Sequence, residues 1–104
     1  GGSEKAIIHA AAMAIKNLLG LVCDPVAGLV EVPCVKRNVV GAMNALSSAD
    51  MALAGIESRI PPDQVIDAMK EVGDQMNSSL KETGLGGLAG TPFGKEVAEN
   101  FLGK

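Results

Sequence analysis

The chain reads as all-α: a small bundle of about four helices, with an irregular cysteine-bearing loop between the first two. Three observations predict this. Apolar residues recur at helical spacing, and no stretch alternates with the period of two that a strand requires. The helical stretches are bounded by cap and breaker residues: Ser3, Gly20, Gly55, Pro61-Pro62, Gly84 and Thr91-Pro92. Hydrophobic residues make up 47% of the chain, yet Trp and Tyr are absent and there are two Phe, so the core must come from Ala, Val, Ile, Leu and five Met. Small side chains of this kind let helices approach closely. The length of 104 residues suffices for one small domain.

The first helix is expected over residues 4 to about 19, "EKAIIHAAAMAIKNLL". Ser3 is its candidate N-cap, Glu4 suits the positive end of the helix dipole, and Gly20 is its natural stop. Apolar residues lie almost all the way round, which predicts a helix sandwiched between others. His9 reads as a satisfied interior or edge histidine, since nothing in the sequence supplies it with an orienting partner.

The second helix is expected over residues 37 to 54, closed by Gly55. Ala42, Ala45, Ala49 and Ala52 form a smooth stripe for close packing. Gly41 costs about 1 kcal/mol in helix propensity against Ala, which points to a close backbone contact. The third element runs on from Pro61-Pro62 with Asp63 in its first turn, and Val65, Met69, Val72, Met76 and Leu80 make one apolar stripe of the core kind. Gly84 ends it. "GLGGLAG" is a flexible or close-approach loop, and Thr91-Pro92 opens a last helix to about Leu102.

Several function classes are excluded early. The net charge is −3 and no lysine or arginine block exists, which argues against a nucleic-acid backbone as partner. No apolar run approaches the 18 or so residues of a membrane span. No signal-peptide pattern is visible, and two cysteines make no disulfide framework, so the expected compartment is the cytosol. "GGS" at residues 1–3 is open between native sequence and a cloning remnant, and the whole chain reads as a piece of a longer protein. Its apolar first helix suggests association, with itself or with the absent portion.

Gly84, Gly86 and Ala89 match G-x-G-x-x-A, but a helix precedes them where the dinucleotide fingerprint needs a strand. Gly94-Lys95 is followed by Glu96, so no phosphate-binding P-loop is present. One His and two Cys without CxxC or HxxxH spacing make a poor zinc site.

The remaining stretch is "GLVCDPVAGLVEVPCVKRN", residues 20 to 38, which holds both cysteines, Cys23 and Cys34. Fully extended it would separate them by roughly 36 Å. Asp24-Pro25 and Gly28 are turn-forming and Pro33 restricts the approach to Cys34, so the loop can fold back and bring the sulfurs near one point. Lys36, Arg37 and a helix start follow, and these favour a thiolate, the form that ligates metal. Buried inert cysteines, metal or cluster ligation, and a redox disulfide all remain open on these residues.

This segment closely resembles the signature around two cluster cysteines in the catalytic α region of bacterial iron–sulfur-dependent L-serine dehydratases. "ADMALAG", "SRIPPDQVIDAM", "KETGLGGLA" and the later "TP" extend the resemblance over nearly the whole chain. Val35-Lys36, where some members carry Ile-Glu, and Glu31 for Gln look like subgroup variation. The resemblance implies an all-helical catalytic domain holding a [4Fe–4S] cluster through three cysteines, with the fourth iron position open to substrate. It implies that L-serine loses water and that the resulting enamine hydrolyses to pyruvate and ammonia. Carried over by position, Cys23 and Cys34 are cluster ligands; Asp24, Pro25, Gly28 and Pro33 shape the loop; Arg37 and Asn38 lie just beyond it. The family's third cysteine and its general base lie N-terminal to this stretch, so the chain resembles the C-terminal part of the catalytic region and is expected to be inactive alone. The partners implied are the rest of the α region and, in two-subunit members, a β subunit. Two rivals stand beside this reading: a related cluster-dependent cysteine desulfidase, and a non-catalytic helical binding module with buried cysteines.

Overall fold

The computed structural model describes residues 2–28 and 33–102. Among them are four α-helices: α1 (Glu4–Lys16), α2 (Cys34–Leu53), α3 (Pro62–Gln75) and α4 (Pro92–Leu102). Short 3-10 turns lie at Val26–Gly28, Ser78–Leu80 and Gly87–Gly90. The expected all-α class with four helices is what the described residues adopt. The only β pairing among the described residues is an isolated parallel bridge between Cys23 and Lys81. No helix of the described residues is long and apolar enough to cross a membrane. Two compact units emerge, one of residues 1–20 and 40–75, the other of residues 21–39 and 76–104.

The first unit holds α1, most of α2, and α3. The Ser3 hydroxyl accepts the Ala6 N–H at 3.1 Å, capping α1 as its position before Glu4 predicts. α1 stops at Lys16, about three residues earlier than expected. Asn17 is taken up by tertiary contacts: its amide donates to the Asn44 side chain at 3.0 Å, and Asn44 donates to the Ala14 carbonyl at 2.8 Å. The chain then turns to Gly20, which sits at φ +80°. α1 packs on α3, and the core comprises Ala12, Met13, Ala52 and Val65.

Two packing expectations are corrected here. α1 is not sandwiched within its unit: Ile7 is 63% exposed and Ile8 50%. Nor does Gly41 mark a close backbone contact, because a Cβ built there meets nothing within 4 Å. The small-residue stripe of α2 is covered only toward its end, at Ala49 and Ala52, while Ala42 and Ala45 stay exposed. Val65 alone of the α3 stripe is fully buried; Met69 and Val72 are exposed.

The second unit joins two segments distant in sequence. α3 ends at Gln75 rather than near Gly84, because "NSS" offers the backbone a local alternative. The Asn77 side chain accepts the Ser79 N–H at 2.9 Å and starts a 3-10 turn in place of further helix. Leu80 thereby leaves the apolar stripe assigned to it. α4 begins where Thr91-Pro92 predicts, with the Thr91 hydroxyl accepting the Gly94 N–H at 3.0 Å. It packs against the turns at Val26–Gly28 and Gly87–Gly90. α2 starts at Cys34, three residues before the expected Arg37, so the second cysteine is the helix's first residue.

Candidate functional site

The site is built where the cysteine segment meets the glycine segment. Backbone hydrogen bonds fasten the two: the Cys23 N–H donates to the Leu80 carbonyl at 2.9 Å, and the Glu82 N–H donates to the Cys23 carbonyl at 2.7 Å. Asp24 follows, with its side chain 2% exposed. Buried carboxylates require partners, and Asp24 has them on both oxygens. Arg37 Nη1 donates to Oδ1 and also to the Val22 carbonyl at 3.0 Å, while the Leu88 N–H donates to Oδ2 at 2.6 Å. Burial pushes the Asp24 carboxyl up, but the Arg37 and Leu88 hydrogen bonds and the guanidinium charge outweigh it, holding the group below its ordinary 3.8.

Gly87 explains why the glycine segment can come so near. It stands at φ +59°, and a Cβ on it would lie 2.8 Å from the Cβ of Asp24. The segment is therefore a close-approach loop: its backbone wraps a buried carboxylate. Pro25, Val26 and Ala89 are buried as well.

Both cysteines are free thiols and half-buried, so no disulfide joins them. They lie close enough for the Cys34 charge to act on Cys23. The thiolate expectation belongs to Cys34, the first residue of α2, and Cys23 stands differently. Burial, followed by the negative charges of Glu82, Cys34 and Asp24, raises its thiol above the ordinary 9.0 against the opposing pull of Arg37. Cys34 stands one turn before Arg37, whose N–H donates to the Pro33 carbonyl at 3.4 Å. Gly28 takes φ +71° as a turn residue should. Asn38 is exposed and makes none of these hydrogen bonds. Glu31, with residues 29–32 generally, lies outside the described residues.

A pair of soft thiol donors suits iron–sulfur or another thiophilic metal. Among the described residues no third Cys, His, Asp or Glu joins them to make a three-ligand cluster. Beside Cys23 opens a cavity of about 300 Å³, lined by Pro25, Ala27, Glu82, Thr83, Leu85 and Ala98 among others. Of the three described non-glycine residues at positive φ, two line it: Ala27 at +54° and Glu82 at +69°. Glu82, Gly87 and Leu88 were not among the expected site residues, although "KETGLGGLA" and its density of glycines marked their segment.

His9 belongs to the first unit and serves structure, as expected. Its Nδ1 accepts the N–H of buried Ser58 at 3.0 Å, Lys16 caps the Ser58 carbonyl at 2.7 Å, and the Ser58 hydroxyl reaches the Ile60 carbonyl at 2.8 Å.

Comparison with known proteins places this chain in a family. Residues 1–89 match the family model described as serine dehydratase alpha chain. The chain is 62% identical over 104 residues to a probable L-serine dehydratase, alpha chain, of Latilactobacillus sakei, covering all of this chain and 50% of the relative. It is 61% identical over 103 residues to a probable L-serine dehydratase, alpha chain, of Bacillus subtilis (strain 168), 99% of this chain and 34% of the relative. To the L-serine dehydratase, alpha chain, of Peptoniphilus asaccharolyticus it is 55% identical over 102 residues, 98% of this chain and 35% of the relative. The chain thus spans between a third and a half of the length of these relatives. No solved structure matches it. With the two cysteines, the Asp24–Arg37 pair and the glycine loop as far as Ala89 within the residues that the family model matches, the chain belongs to the serine dehydratase alpha chain family.

Proposed function

We propose that this chain is the cluster-binding C-terminal part of the α region of a cytoplasmic iron–sulfur L-serine ammonia-lyase. Cys23 and Cys34 supply two of its cluster ligands. The parent turns L-serine into pyruvate and ammonia. The observation that carries the reading is the anchoring of the cysteine segment: Asp24, next to Cys23, is locked to Arg37, one turn after Cys34, in a chain whose relatives are named L-serine dehydratase.

The role of each residue follows from that geometry. Cys23 and Cys34 would hold the cluster through their sulfurs. When bound, a [4Fe–4S] cluster with one iron lacking a protein ligand supplies a Lewis acid for the serine hydroxyl. Asp24, through Arg37 and Leu88, holds the backbone on both sides of Cys23 in one geometry, which pre-orients the sulfur before any metal arrives. The raised Cys23 thiol is protonated at neutral pH, so ligation there releases a proton. The third ligand and the base that removes the Cα proton come from elsewhere in the parent, as does any β subunit. The chain alone is inactive on this reading.

The test is anaerobic reconstitution of the full-length parent with iron and sulfide, for wild type, Cys23→Ala and Cys34→Ala. Visible iron–sulfur absorbance, bound iron and pyruvate from L-serine should appear in wild type and fall together in both variants. Sulfide released from L-cysteine without pyruvate from L-serine would favour a desulfidase instead. Variants that retain full absorbance and iron would remove both cysteines from the ligand set.

A further inference from the structure

We propose that the cavity beside Cys23 is the amino-acid pocket of the parent enzyme, and that Glu82 at its rim takes the substrate's ammonium group. The proposal rests on the lyase reading and deepens it. At about 300 Å³ the cavity sits at the lower end of ligand pockets, the size for a small amino acid rather than a cofactor. Pro25, Ala27, Leu85, Ala89 and Ala98 make most of its wall apolar or small, and Glu82 is the charged residue that lines it. A substrate that is a zwitterion needs a counter-charge for its ammonium, and a carboxylate is the side chain that provides one.

The backbone around Glu82 is built to hold that residue in place. A non-glycine residue in the left-handed region costs of order 1–3 kcal/mol and persists only where its surroundings over-determine it. Glu82 is in that region, with its N–H tied to the Cys23 carbonyl at 2.7 Å. Thr83 next to it is fixed through its hydroxyl to the Ser78 carbonyl at 2.9 Å. Ala27, which also lines the cavity, is strained in the same way, and Gly28 and Gly84 add two more left-handed residues to the lining. Strain concentrates on this one cavity. The tie to Cys23 joins one lining residue of the cavity to the cysteine segment through the backbone.

The experiment uses the reconstituted full-length parent. L-serine turnover is measured beside inhibition by 3-hydroxypropionate, which is serine without its ammonium. In Glu82→Gln the KM for L-serine should rise about tenfold or more, as expected for a lost charged hydrogen bond, while the inhibition constant of 3-hydroxypropionate and the visible absorbance stay unchanged. A KM that does not move, or a KM and an inhibition constant that rise together, would overturn the assignment of Glu82. Should Glu82→Gln fail to fold, Ala98→Phe decides, since filling the cavity should weaken both molecules with the absorbance intact. Unchanged binding in that variant would remove the pocket. Wild type that makes no pyruvate from L-serine would overturn the lyase reading itself, a failure distinct from the others.

Discussion

Asp24 and Arg37 form an ion pair of unequal burial: the carboxylate is 2% exposed and the guanidinium side chain 27%. The carboxylate cannot find water if its partner is removed, whereas the arginine can. The two residues are therefore not interchangeable as mutational targets. Asp24→Asn leaves Arg37 without its charge partner beside a still-buried amide, and should cost about 2–3 kcal/mol in a denaturant titration, somewhat below the range for a fully buried pair. Arg37→Ala exposes the larger penalty, because it strands the buried charge of Asp24 and frees the Val22 carbonyl as well. An Arg37→Ala cost no greater than that of Asp24→Asn would contradict this ordering.

The same pair sets an acid limit. Asp24 titrates below its ordinary 3.8 in the folded chain. The unfolded state therefore binds the proton more readily, and the pair contributes stability that is fully present above the unfolded value and is lost as pH falls through the lower folded one. Wild-type stability should drop steeply below pH 3.8 and that of Asp24→Asn should drop less. Urea midpoints measured across that range test this; parallel curves would remove Asp24 as the cause.

Two glycine-to-alanine changes should move stability in opposite directions. Gly87→Ala meets both a left-handed backbone and the side chain of Asp24, and should destabilise by about 2 kcal/mol or more. Gly41→Ala lies inside α2 with open space around it and should stabilise by about 0.5–1 kcal/mol. Thermal melts of the two variants provide the comparison.

Cys23 should alkylate slowly in the metal-free protein. Its thiol is raised first by burial and next by Glu82, so the reactive thiolate becomes the major form only above pH 9.0. Iodoacetamide labelling followed by peptide mass analysis should show a midpoint above that value. Glu82→Gln should move it downward, and an unmoved midpoint would remove Glu82 as a cause.

Much of this was legible in the sequence. Ser3, Gly55 and Thr91-Pro92 mark helix ends because capping is local chemistry, readable within four residues. Cys23, Asp24 and Arg37 were picked out as one neighbourhood, and the fold brings them together. The sequence misled where a local signal met tertiary competition. Asn17 left its helix for Asn44, Asn77 traded the end of α3 for a 3-10 turn, and Gly41 bore no steric reason. The other half of the site could not be read at all, because no periodicity in the chain announces that the Leu88 N–H will meet the Asp24 carboxylate.

That contact joins positions 64 residues apart. Loop closure over such a distance is entropically costly, and the chain emerges from the ribosome N-terminus first. When Cys23 and Cys34 leave the exit tunnel, nothing yet exists to hold Asp24 on its second oxygen or to clasp Cys23 through Leu80 and Glu82. The cysteine segment acquires its shape only once the glycine segment has been synthesised.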